Sequence, residues 1–223
     1  MRVARSAERL AWLAVPNGYC AAMADEQANL REALKRVATA LKETGVGFAL
    51  AGGYAAWARG GPEPDHDADF LIAPEDADKV AGLLGEKDLQ IVQPPEDWLF
   101  KVFTDESMVD VLYRAAGSSD VSSALERATE VEVLSVRMPV LSATDVVMQK
   151  FAVLGERYCD LAAVLPVARA LREQVDWGLV GHGVAGNPFA EATLDLLVRL
   201  EIISPADLPV PDGTGPPGSA AGT

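Results

Sequence analysis

Cysteine is scarce in this chain, with two residues in 223, Cys20 and Cys159, far apart in sequence. That excludes a disulfide framework and a cysteine-based zinc site, and it points to a reducing, cytoplasmic setting. Histidine is equally rare, at two, which excludes a histidine-rich metal centre. Long apolar runs are missing too. Leu10 to Val15 is the nearest approach to a targeting signal, and Pro16-Asn17-Gly18 cuts it short. Residues 1–23 are therefore expected to be an extension ahead of a start near Met23. No later stretch reaches the ~18–20 apolar residues that cross a bilayer, so no membrane partner is expected.

Positive charge is in deficit, since 19 Lys and Arg face 33 Asp and Glu, a net charge of −14. As a whole such a chain repels nucleic acid and anionic lipid, and any polyanion must meet a local basic patch. What is present is ordinary globular material, 49% hydrophobic and 23% charged, enough for one substantial domain.

Periodicity divides the chain. Asp25 to Glu43 carries Ala28, Leu30, Leu34, Val37, Ala38 and Leu41 at helical spacing and stops at Gly45. Phe48 to Ala51 reads as a strand running into Gly52-Gly53, with a short helix over Tyr54 to Arg59. His66 to Ile72 alternates and reads as a strand with Asp67, Asp69 and Leu71 on one face. Glu75 to Leu84 is a helix, and Trp98–Phe103 with Met108–Tyr113 form a hairpin. Val131 to Val140 adds one more strand. From Ser142 onward the period is helical, over Val146–Leu154, Leu161–Leu171 and Ala190–Leu200. Residues 204–223, rich in Pro, Gly and Ala, read as a disordered tail. The expectation is an α+β fold. A mixed sheet flanked by helices fills residues 24–141, and a helical subdomain fills 142–203.

The chemistry concentrates in three carboxylates. Two positions apart on a strand, Asp67 and Asp69 share one face, and their mutual repulsion is relieved most simply by a divalent cation. Oxygen-only ligands on rigid elements suit Mg²⁺. Asp110 is a lone acid within Met108-Val109-Asp110-Val111-Leu112, costly to bury unpaired. Beside the first two it completes a site for two metal ions of the kind used in phosphoryl transfer. The Gly52-Gly53 turn offers bare N–H groups that can approach phosphate.

Gly52-Gly53, then Asp67-Ala68-Asp69, then Asp110 on a later strand resembles the nucleotidyltransferase superfamily that includes DNA polymerase β. The resemblance covers about residues 25–113 and implies a nucleotidyltransferase-like core. It further implies that Gly52 and Gly53 bind a nucleoside triphosphate such as ATP. Asp67 and Asp69 would ligate two Mg²⁺ ions, with Mn²⁺ as an alternative, and Asp110 would be the third ligand and help activate the attacking hydroxyl. A nucleoside monophosphate would pass to an acceptor and pyrophosphate would leave.

A looser resemblance, through Lys150 and Arg157-Tyr158-Cys159-Asp160, is to the AbiEii-type toxin nucleotidyltransferases of toxin–antitoxin systems. It implies that Lys150 contacts phosphate and that Asp160 supports it or the acceptor. If one helix is continuous across them, the two lie near one face; the other reading is a surface lysine and a helix-capping aspartate. The superfamily's Arg-x-Thr before the aspartate pair has no counterpart in residues 61–66, so Arg59, Lys101 or Lys150 must neutralise phosphate. Tyr54 either lines the nucleotide pocket or packs its helix. His66 should point away from the metals, Trp57, Trp98 and Trp177 should be core, and His182, in a loop-like Gly181-His182-Gly183, has no role. The acceptor is either tRNA, with an antitoxin protein as partner, or a small cationic molecule such as an antibiotic. A nucleotide-binding module without turnover is the remaining alternative.

Overall fold

The computed structural model describes residues 17–64, 66–104, 107–114 and 120–209. The extension expected at residues 1–23 and the tail expected at 204–223 lie outside this range over residues 1–16 and 210–223.

Helix α1 (Asn17–Thr44) buries the stripe read from the sequence: Leu30, Leu34, Val37, Ala38 and Leu41 all face the core. Gly45 ends it at φ +68, a conformation glycine adopts without the Cβ clash other residues meet. Strand β1 (Phe48–Ala51) has all four residues buried, so both faces of the sheet are covered at this point. Helix α2 (Gly52–Ala58) follows directly, and β2 (Asp69–Ile72) returns antiparallel to β1. A 3-10 turn (Pro74–Asp76) feeds α3 (Ala77–Gly85), and β3 (Gln90–Val92) leads into the hairpin of β4 (Leu99–Phe103) and β5 (Met108–Leu112). Helix α4 (Val121–Glu126) is capped by Asp120, which accepts from the N–H groups of Ser122 and Ser123.

The single strand expected over Val131 to Val140 is a hairpin, β6 (Thr129–Val133) and β7 (Val136–Val140). Leu134 and Ser135 turn it with φ +50 and +64, the two-residue geometry that favours Asn-Gly and that Leu-Ser does not announce. The sheet order is β3-β4-β5-β2-β1-β7-β6, mixed because β2 runs parallel to β5 and β1 parallel to β7.

Helix α5 (Ala143–Ala152) joins this sheet to α6 (Leu161–Leu171), α7 (Trp177–Gly183) and α8 (Pro188–Arg199). It contacts α2, α6, α7 and α8, and its first six residues are all buried. His182 lies within α7, where Nδ1 is 2.7 Å from the Gly178 carbonyl oxygen, so the loop expected around it is helical. Trp177 is core and Trp57 packs against it, whereas Trp98 is exposed, unlike the burial expected of all three. Pro205–Asp207 form a 3-10 turn closed by a capping box with Ser204, so the segment expected to be disordered begins with an ordered turn.

Among the described residues no helix is long and apolar enough to cross a membrane.

Candidate active site

The site is built on one row across the sheet. Lys101 of β4 pairs with Asp110 of β5, Asp110 pairs with Asp69 of β2, and Asp69 pairs with Ala51 of β1. Residues level with each other on neighbouring strands point to the same face, about 4.8 Å apart at the backbone. The Asp110 amide donates to the Ala68 carbonyl at 2.8 Å, locking the two aspartate strands in register. Lys101 Nζ donates to both carboxylate oxygens of Asp110, at 3.0 and 3.3 Å.

Gly52 closes the row. It sits at the start of α2 with φ +57, and a Cβ there would lie 1.9 Å from Asp69 Oδ2. Only a residue without a side chain lets the α2 N-terminus approach this carboxylate. Gly53 is pressed against Pro64, where a Cβ would meet the ring at 2.7 Å.

Asp67 departs from the alternation read in the sequence. Strand β2 begins only at Asp69, and Asp67 precedes it in the left-handed region at φ +58, exposed to solvent. The cause is topological: β1 ends at Ala51, opposite Asp69, so residues ahead of Asp69 have no antiparallel partner. Asp67 still stands within electrostatic reach of the row. The Asp69 carboxyl is pushed up to about 7 by burial first, then by the charges of Asp110 and Asp67, with Lys150 and Lys101 opposing. His66 is exposed.

Lys150 lies in the last turn of α5, where burial holds its ammonium below the usual lysine range, opposed by the charges of Asp69 and Asp160. Of the two arrangements left open for Lys150 and Asp160, one continuous helix and a helix-capping aspartate, the second is the one found. α5 stops at Ala152, a turn closed by the Gly155–Tyr158 bridge intervenes, and Asp160 is the N-cap of α6, accepting from the Ala163 amide at 3.1 Å. The break nevertheless keeps Asp160 near enough for its charge to act on Lys150.

Two residues expected to bind nucleotide are engaged in contacts within the fold. Arg59 is at the far end of α2 from the glycine turn. Its guanidinium donates to the carbonyls of Leu141 and Val140 and to the Thr129 hydroxyl, which commits it to joining α2 to the β6–β7 hairpin. Tyr54 is wholly buried against Trp57, with ring centroids 5.9 Å apart, and its hydroxyl makes no well-formed hydrogen bond among the described residues. Of its two readings, helix packing is the one observed.

Sequence reasoning missed Arg31. From α1 it forms a bidentate pair with Glu63, both contacts at 2.7 Å, and Gln27 Nε2 reaches the Pro64 carbonyl. Together they fasten the segment that leads to Asp67. Their 32-residue separation leaves no local signal. Arg127 was also missed. It donates two hydrogen bonds to Asp145, which is fully buried at the start of α5 and also accepts from Ser142 Oγ.

No three carboxylate, histidine or cysteine groups among the described residues are gathered closely enough to hold one ion as they stand. Mg²⁺ asks for less: one or two carboxylates, water and substrate phosphate. Asp69 and Asp110 provide two carboxylates side by side on paired strands, the hard oxygen donors such an ion takes. The residues present therefore fit a hard divalent ion held by Asp69 and Asp110, with Asp67 at its edge.

No protein-family model and no curated protein matches the chain. Solved structures do. ANT(2'')-Ia, in complex with adenylyl-2''-tobramycin, superposes with a TM-score of 0.50 at 12% identity, over 74% of this chain and 97% of that one. An antigenic nucleotidyltransferase-like protein from Paracoccidioides brasiliensis is similar over 76% of this chain and 87% of its own, at 14% identity and a TM-score of 0.49. With the sheet order, the glycine turn and the aspartate row in place, the likeness to ANT(2'')-Ia assigns this chain the nucleotidyltransferase fold.

Proposed function

We propose that the protein is a Mg²⁺-dependent nucleotidyltransferase that moves a nucleoside monophosphate from a nucleoside triphosphate to an acceptor hydroxyl. The observation that carries this reading is the row Asp110–Asp69 set against Gly52 at the start of α2. It brings two carboxylates and bare backbone N–H groups to one place, the pairing that a metal-bound triphosphate requires.

In this reading Asp67, Asp69 and Asp110 hold the ions, Mg²⁺ or Mn²⁺, which when bound neutralise the triphosphate and favour ionisation of the acceptor hydroxyl. Gly52 and Gly53 donate backbone N–H groups to the phosphates. Lys150, facing the same acidic centre, supplies the cation that Arg59 does not. Asp110 takes the proton of the acceptor hydroxyl. The acceptor oxygen bonds to the α-phosphorus, the bond to the bridging oxygen breaks, and pyrophosphate leaves. Asp160 supports Lys150 or orients the acceptor.

The acceptor favoured here is a small cationic molecule. A net charge of −14 attracts such a molecule and repels RNA, and ANT(2'')-Ia is seen with an adenylylated tobramycin. A second reading, a toxin acting on tRNA and restrained by an antitoxin, draws on the coupling of Lys150 to both Asp69 and Asp160. The cytoplasm, where nucleoside triphosphates and reduced thiols coexist, is the proposed location.

The test is incubation with each labelled nucleoside triphosphate, Mg²⁺ or Mn²⁺, and either a panel of aminoglycosides and lincosamides or bulk tRNA. Labelled acceptor and released pyrophosphate are expected from wild type and neither from Asp69→Asn. Binding of nucleotide with no pyrophosphate released for any acceptor would instead establish a module without turnover.

A further inference from the structure

The ammonium of Lys101 is held against the carboxylate of Asp110, one of the two groups read above as cation ligands. Its Nζ bridges both oxygens of that carboxylate, and the β4–β5 pairing holds the two residues directly opposite each other. The side chains are 27% and 15% exposed, so water screens the contact only in part. The same positive charge also acts on Asp69 and opposes the rise of its carboxyl. Lys101 is thus a covalently attached counter-ion for the two carboxylates fixed in the sheet.

A divalent ion arriving at Asp69 and Asp110 meets a like charge already bound to one of its ligands. A lysine can yield, because its charge rides on a flexible four-carbon stem. Resting on the reading of Asp69 and Asp110 as a cation site, we propose that Lys101 and the divalent ion exchange on Asp110. Lys101 holds the carboxylate when no metal is present, leaves it when the ion binds, and turns to the anionic phosphate tail of the nucleotide. The exchange makes ion binding weak in the absence of nucleotide and stronger in its presence, so the site loads the two together. Lys101 acts as a positioning residue until the nucleotide arrives, and then as a phosphate contact.

The experiment is titration of the full chain with Mn²⁺, free ion being read by its electron paramagnetic resonance signal, for wild type, Lys101→Met, Lys101→Arg and Asp110→Asn. Removing one positive charge about 5 Å from the ion should tighten nucleotide-free Mn²⁺ binding about tenfold in Lys101→Met. Lys101→Arg, which keeps the charge, should stay near wild type. With a non-hydrolysable nucleoside triphosphate analogue present, the advantage of Lys101→Met should vanish or reverse.

A nucleotide-free Mn²⁺ affinity of Lys101→Met within twofold of wild type, or weaker, overturns the exchange. So does an unchanged advantage when the analogue is added. If wild type and Lys101→Met both bind Mn²⁺ no better than Asp110→Asn, the cation site itself is absent and the proposed function fails with it. Should Lys101→Met not fold, Lys101→Gln keeps a hydrogen bond to Asp110 without the charge and is judged by the same outcomes.

Discussion

Gly52 and Asp69 touch so closely that a methyl group on the glycine Cα would lie 1.9 Å from the aspartate's Oδ2. Gly52→Ala must therefore displace the carboxylate or the start of α2, and it also places a Cβ at φ +57, which costs about 1–2 kcal/mol. Chemical denaturation should show at least that loss, and nucleotidyl transfer should disappear. Gly47→Ala, where a new Cβ meets nothing within 4 Å, is the control and should change neither.

The Asp69 carboxyl, at about 7 in the fold against an ordinary 3.8, makes stability depend on pH in a defined direction. Between these values the folded state binds more protons than the unfolded one. The contribution is complete below about pH 4 and is lost as pH rises through 7. Thermal scans of metal-free protein from pH 5 to 8.5 should show wild type falling relative to Asp69→Asn up to about pH 7 and running parallel above it. Protons and Mg²⁺ compete for the same oxygens. The Mg²⁺-induced rise in Tm should accordingly grow with pH and level off above 7.

Arg127 neutralises Asp145, a carboxylate with no exposed surface. Arg127→Ala leaves that charge buried with the Ser142 hydroxyl as donor and only the more distant charge of Arg59. A loss of about 3–5 kcal/mol is expected in urea unfolding. Replacing both residues, as Arg127→Met with Asp145→Leu, should recover most of it.

Arg31 and Glu63 are each partly exposed, so their pair contributes about 0.2–1 kcal/mol. Their effect on the segment leading to Asp67 should be larger than their effect on stability. Arg31→Ala is expected to lower kcat/KM about tenfold, since misplacement of a reacting group by about 1 Å costs up to a hundredfold. Its Tm should stay within a few degrees of wild type. A parallel collapse of both quantities would show the pair to be structural only.

Tyr54→Phe removes a buried hydroxyl that makes no well-formed hydrogen bond among the described residues but lies beside the Arg31 guanidinium. Stability should change by no more than about 1 kcal/mol. Nucleotide affinity, measured by calorimetry, should not change, because Tyr54 is packed in the core.

Legibility in the sequence followed locality. The stripe of α1, the β4–β5 hairpin and the order of glycine turn and aspartates depend on residues close in sequence, and all were readable. The α2 N-terminus could be read too, because Gly52-Gly53 interrupts an apolar run. Asp67 was misplaced because its conformation depends on where β1 ends, a fact of pairing that alternation does not contain. The gap between α5 and α6 could be read from the interruption of the apolar stripe after Leu154, but not the turn that fills it, closed by the Gly155–Tyr158 bridge. Arg59 looked like a free cation in a short helix, and only the fold reveals the carbonyls of Val140 and Leu141 around it. The roles of Arg31 and Lys101 are likewise set by partners on other elements.

Helix α5 carries a locked carboxylate at one end and a lysine facing the acidic row at the other, five residues apart. A helix rises 1.5 Å per residue, so about 7.5 Å of stiff rod separates them. Whatever shifts the Asp145 end shifts the Lys150 ammonium by a comparable distance. The sheet half of the molecule and the helical half are thereby held to a common alignment, and the place of Lys150 is set in part by Arg127, an arginine anchored at the other end of the same helix.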